Sequence, residues 1–240
     1  VTDRSFAVPD GVNNGQYGVG LVIDFFGLAG KYSGYPVEFH YPSVTAVVPA
    51  NIALVNGAKN ADEAKKFIAF TLSREGQELL FDPKISRLPV LPNASFGAKV
   101  PANYPDAQEI AKRAKVQFNS ELSSNRYQVV VSLFDQMVTF RLKELQAATK
   151  AIHEAERRLK AKPNAHGSEL LRQARSFAYS SLVPEAMVKD EKFLDLFRQN
   201  KRDVAVAKQL TGLEELWSSK AKANYDRART LANEAAAAAK

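Results

Sequence analysis

Cysteine is absent from this 240-residue chain, which removes disulfide frameworks, thiolate metal sites and cysteine nucleophiles in one step. Histidine is scarce: His40, His153 and His166 are scattered, without the spacing of metal ligands. No apolar run approaches the ~20 residues needed to span a bilayer, so the chain is not expected to be membrane-spanning. The zinc-protease helix motif, the phosphate-cradling glycine loop and the nucleophile elbow are all missing. Asp24 and Glu38 could be imagined as an acid and base pair, but nothing else supports catalysis. The expectation is a protein that is not an enzyme, with no cofactor and no resident metal.

What remains is ordinary globular composition, 45% hydrophobic and 25% charged, enough for one large or two modest cores. The formal charge is +7, unevenly placed: residues 1–90 hold 8 Lys+Arg against 9 Asp+Glu, and the rest hold 25 against 17. A basic excess can point to nucleic acid or anionic lipid. Here the bases alternate with acids, as in Glu154-Ala-Glu156-Arg157-Arg158-Leu159-Lys160, where Glu154 to Arg158 and Glu156 to Lys160 are favourable i,i+4 pairs. A solvated helix face accounts for them, and no nucleic-acid partner is expected.

Two β-branched runs dominate the first part. Tyr17 to Phe26 follows the turn signal Asn13-Asn14-Gly15 and ends on a lone acid, Asp24, beside Phe25 and Phe26. It reads as a buried strand that delivers a polar group at its carboxyl end, where ligands sit in open α/β sheets. The residues after Asp24 suit a short helix closed by Gly34. Asp24 either accepts hydrogen bonds from a ligand or caps that helix. The second run, Thr45 to Val55, reads as a strand buried on both faces, with the hydroxyls of Ser43 and Thr45 at its start. Those hydroxyls either hold a phosphate or carboxylate oxygen or are local turn groups. Asn60 with Glu63 forms a capping-box pattern before a helix bearing Ala64, Phe67, Ile68, Thr71 and Leu72. Ser73 restarts a second helix, and Asp82-Pro83 stops it.

The ordered set Val22-Ile23-Asp24-Phe25-Phe26, Tyr35-Pro36-Val37-Glu38-Phe39, Tyr41-Pro42, residues 60–80 and Arg87-Leu88-Pro89-Val90 resembles the carboxyl-terminal part of a type 2 periplasmic solute-binding protein of ABC-type uptake systems. It is most similar to the organophosphate and phosphonate binders. The resemblance implies an α/β fold followed by a mainly helical extension: residues 1–48 in a second lobe, 49–122 returning to a first lobe with a proline-rich connection, and 123–240 as the extension. It implies a hinge near Val48-Pro49-Ala50 and a chain that is one piece of a longer protein. It further implies a periplasmic protein that binds or senses a small anionic, phosphorylated solute such as phosphoglycerate, coupled to uptake or to its induction. Asp24, Phe25, Tyr41, Ser43 and Thr45 become the candidate ligand-binding residues. The alternatives are a helical interaction module that meets a sensor kinase or permease, and a ferric-ion binder. For the second, Phe25 and Phe26 stand where the iron-binding branch carries its tyrosine pair.

The remainder is helical in pattern. Phe134, Val138, Leu142, Leu145, Ala148, Ile152, Ala155 and Leu159 recur at three or four, predicting a helix over about 126–161 of roughly 54 Å. Ser168 is expected to cap a helix to Tyr179, and Pro184 to open another. In the final segment Leu213, Trp217, Ala221, Ala228, Leu231 and Ala235 share a stripe that Gly212 is expected to dent or divide. Trp217 is the candidate anchor if that stripe docks another protein.

Overall fold

The computed structural model describes residues 2–114, 116–199 and 203–239. It divides into two compact units, Val1–Phe118 and Asn119–Lys240.

In the first unit, helices α1 (Ala7–Asn13), α2 (Asp24–Tyr32), α3 (Ala61–Leu72), α4 (Arg74–Glu78) and α5 (Ala107–Arg113) are joined by extended segments and short 3-10 turns. Local chemistry sets the boundaries. Asn60 precedes α3, although its side chain makes no capping hydrogen bond. Ser73 caps α4 by accepting from the Gly76 amide, and Asp106 caps α5 by accepting from Gln108 and Glu109. The core is aromatic: Phe81 meets Phe96 and Tyr104 edge to face at 5.0 and 5.1 Å, with Tyr32 against Tyr104 at 4.9 Å. Buried Gln77 ties this layer together, donating to the Thr71 carbonyl and accepting from the Val90 amide, each at 2.6 Å.

The α/β fold expected from the sequence is overturned: among the described residues there is no strand and no sheet, and the regular structure is helical. The β-branched runs are extended but unpaired. Val19, Leu21 and Ile23 are 85%, 92% and 60% exposed, and Val44, Val48 and Val55 are exposed as well. A helix closes its hydrogen bonds within one segment, whereas a strand needs a neighbour. β-propensity measures fit to a pleated, half-buried surface, and these residues have no such surface among the described ones. The segment proposed as a hinge, Val48-Pro49-Ala50, is part of this exposed extended chain.

The second unit is built from α6 (Ser120–Phe134), α7 (Leu142–Ala161), α8 (Ala165–Tyr179), α9 (Glu191–Arg198) and α10 (Val204–Ala238). Helices α7, α8 and α10 share a core of small residues around Ile152, Leu159, Tyr225 and Leu231, including Ala148, Ala155, Ala174, Ala228 and Ala232. Alanine lets the helix axes approach closely. Gly167 marks the tightest point, because a methyl group there would lie 2.8 Å from Leu159 Cδ2 and 3.1 Å from the Ala235 carbonyl oxygen. A second core joins Val129, Val183, Leu194, Phe197, Leu210 and Trp217, with Phe197 and Trp217 stacked at 5.6 Å and 3°. Trp217, the candidate anchor had its stripe been a docking face, is a core residue.

Three further expectations are corrected. The long helix over about 126–161 is interrupted by a π-helical turn, Asp135–Thr139, before α7 begins. The Tyr225 hydroxyl donates to the Met137 carbonyl at 2.8 Å, and Arg141 Nε donates to the Ser218 carbonyl and hydroxyl at 3.2 and 3.0 Å, holding the altered register. Helix α8 is capped by Asn164, which accepts from the Gly167 amide, rather than by Ser168. Helix α10 runs through Gly212 without a break, 35 residues and about 53 Å, from an Asp203 cap. On α7, Glu154 pairs with Arg158 at 2.6 Å as expected, while Glu156 pairs with Arg175 of α8.

Candidate functional site

Helix α2 is where chemistry concentrates. Ile23 has an extended backbone and Asp24 opens the helix, its Oδ1 accepting from the Phe25 amide at 2.8 Å. Its other oxygen, Oδ2, accepts from the Tyr41 hydroxyl at 3.0 Å. Tyr41 arrives there because residues 37–41 lie along α2. A methyl group on Gly27 would overlap the Phe39 ring, so only glycine permits that approach. Phe39 and Tyr41 then meet edge to face at 4.9 Å. Burial, and then the Asp24 carboxylate, push the Tyr41 phenol far above its ordinary pKa, so it remains a proton donor.

Asp24 and Tyr41 face a cavity of about 980 Å³ whose walls come from α1, the start of α2 and the extended segments 18–23, 37–42 and 45–48. Thr45 and His40 add polar groups to a mostly apolar wall that includes Phe26 and Leu88. Among the lining residues there is no lysine or arginine. Glu38, also in the wall, is bonded to Lys31 at 2.7 Å, which holds its carboxyl below the usual range and raises the lysine.

The sequence-derived candidates are thus only partly assembled. Asp24, Tyr41 and Thr45 share the cavity. Ser43 is exposed and outside the wall. Phe25 turns from it to lie beneath the Arg87 guanidinium, 3.8 Å from ring centroid to the charge, while its ring neighbour Phe26 at 4.3 Å lines the cavity. Phe25 and Phe26 carry no metal donors, and no group of three or more His, Asp or Glu able to hold a metal is found among the described residues. No helix of the described residues is long and apolar enough to cross a membrane.

No protein-family model and no solved structure matches the chain. Two curated proteins do: the phosphoglycerate transport regulatory protein PgtC of Salmonella typhimurium and that of Salmonella typhi, each 33% identical over 198 residues. The chain is similar to PgtC. The match takes in 82% of this chain and 46% of each relative, so the chain spans about half the length of the curated relatives it matches. The helical structure of the described residues removes the two-lobed α/β scaffold expected from the sequence.

Proposed function

We propose that the chain is part of a periplasmic regulatory protein that senses phosphoglycerate and passes that signal to a membrane permease or sensor kinase, without transforming the solute. The observation that carries this reading is the similarity to PgtC over 198 residues, 82% of the chain. The cavity supports it chemically. The Asp24 carboxylate, held by Tyr41, has lone pairs left for the hydroxyl of a three-carbon acid, and the Thr45 hydroxyl can donate to an acid oxygen. A second reading, in which the helical unit is a protein-interaction module, is favoured by the exposed row Tyr127, Val130 and Phe134, spaced at helical intervals along α6.

Calorimetric titration of the full-length protein tests the first reading. Heat on adding 2- or 3-phosphoglycerate, exceeding that for sugar phosphates or aminoethylphosphonate, is the expected result. Absence of binding to either phosphoglycerate overturns it. For the second reading, Val130→Glu on exposed α6 should abolish induction of uptake while leaving phosphoglycerate binding intact; unchanged induction removes it.

A further inference from the structure

We infer that Arg87 is the anion anchor of the cavity in the first unit, the side chain that takes the phosphate group of its solute. The inference rests on the phosphoglycerate reading of that cavity, which otherwise faces a physical difficulty. An anion needs charge-assisted donors, and the cavity wall offers carboxylates at Asp24 and Glu38 and no lysine or arginine among its lining residues. Lys31 is close by but is bonded to Glu38 at 2.7 Å.

Arg87 differs from these on every count. It is exposed, and no ion pair or side-chain hydrogen bond engages its guanidinium among the described residues; its one interaction is the Phe25 face at 3.8 Å. That stack leaves the edge of the guanidinium, with its N–H donors, free for a planar, bidentate contact. The pair stands one residue from the wall along the chain: Phe25 follows Asp24 and packs on Phe26, Arg87 precedes Leu88, and Asp24, Phe26 and Leu88 all line the cavity.

The backbone under Arg87 is fixed on both sides. Its amide donates to the Leu80 carbonyl at 3.0 Å, and its carbonyl accepts from the Tyr104 hydroxyl at 3.0 Å. Ser86 before it is fully buried with φ of 45°, its hydroxyl donating to the Pro83 carbonyl at 2.9 Å. A non-glycine residue in that left-handed region is strained, and such strain persists only where the surroundings over-determine it. The result is an exposed cation on a rigid stem, with one face against Phe25 and, among the described residues, no carboxylate paired to it.

The test titrates the full-length protein, its Arg87→Lys and its Arg87→Gln variants with 3-phosphoglycerate and with glycerate, which lacks the phosphate. Arg87→Gln should weaken 3-phosphoglycerate about tenfold to a hundredfold, the loss expected for a charged hydrogen-bonding pair. Arg87→Lys should recover part of that affinity, and glycerate should bind all three alike. If 3-phosphoglycerate binds the parent protein and Arg87→Gln within twofold, the anchor is refuted while the cavity reading stands. Equal losses for both ligands would show a merely structural role and also refute it. A parent protein that binds no 3-phosphoglycerate removes the cavity reading, and the anchor with it. Unchanged thermal unfolding of Arg87→Lys guards against loss of fold.

Discussion

Replacing Tyr41 by Phe removes one hydroxyl and keeps the ring against Phe39, so it isolates the bond that positions the Asp24 carboxylate. Hydrogen bonds to a charged group contribute about 1.5–3 kcal/mol when well shielded. Tyr41 and Asp24 are only partly buried, and Asp24 keeps its bond from the Phe25 amide, which places the expected loss near the lower end, about 1–2 kcal/mol. Asp24→Asn weakens the same contact from the other side. In the double variant the two losses should overlap, leaving a coupling of about 1 kcal/mol. The chain's one tryptophan, Trp217, is in the helical unit, so its fluorescence cannot report on this pair. Amide exchange at Phe25 and neighbouring α2 residues, followed through a urea series, can. A coupling below about 0.3 kcal/mol would mean that the two side chains act independently, contrary to the geometry described.

In the helical unit two glycines should respond with opposite sign when changed to alanine. Gly167→Ala, crowded by Leu159 and the Ala235 backbone, should lower stability by about 1–3 kcal/mol; Gly212→Ala, with nothing within 4 Å of the added carbon, should raise it by about 0.5–1 kcal/mol. Trp217 fluorescence in urea reads both, and equal effects would refute the packing described. In the first unit burial raises the phenols of Tyr41 and Tyr104 above their ordinary value of 10.0. As pH climbs past about 10 the unfolded chain loses these protons while the folded unit keeps them, so the stability they lend is complete below pH 10 and declines above it. Tyr41→Phe should flatten that alkaline decline of exchange protection in α2, and an unaltered slope would contradict it.

Much of the helical architecture was legible because its signals are local. Asp24 after an extended residue, Asn60, Ser73 and Asp203 all stand at helix starts, and Asp82-Pro83 follows the turn Leu79–Phe81. The stripe Trp217, Ala221, Ala228, Leu231 and Ala235 is buried, with Leu213 at its start half-buried, since period fixes which face meets the core. Signals that need a distant partner misled. A run such as Leu21-Val22-Ile23 has strand propensity wherever it lies, but pairing requires a second segment that the run itself does not encode. The π-helical turn was hidden because Phe134, Val138 and Leu142 keep an approximate helical spacing across a change of register. Gly212 did not divide α10, as about 1 kcal/mol of propensity is small against the packing of a helix anchored on both sides.

The candidate site divides along the same line. Asp24, Tyr41 and Thr45 line one cavity; each stands at the end of a recognisable segment, and Gly27 lets those segments lie together. Ser43 was grouped with them for its hydroxyl and its place after Tyr41-Pro42, and it is exposed and outside the wall. The pairing of Phe25 with Arg87 bridges two distant parts of the unit, and no local pattern at either residue signals it. The Arg87-Leu88-Pro89-Val90 motif was visible, but the stack of Arg87 on Phe25 was not.

Hydrogen exchange of the full-length protein with and without 3-phosphoglycerate addresses the central claim. Protection gained at residues 18–24, 37–42 and 45–48, which wall the cavity, is the expected outcome. Protection appearing only elsewhere, or none at saturating ligand, would contradict the assignment of phosphoglycerate to this cavity.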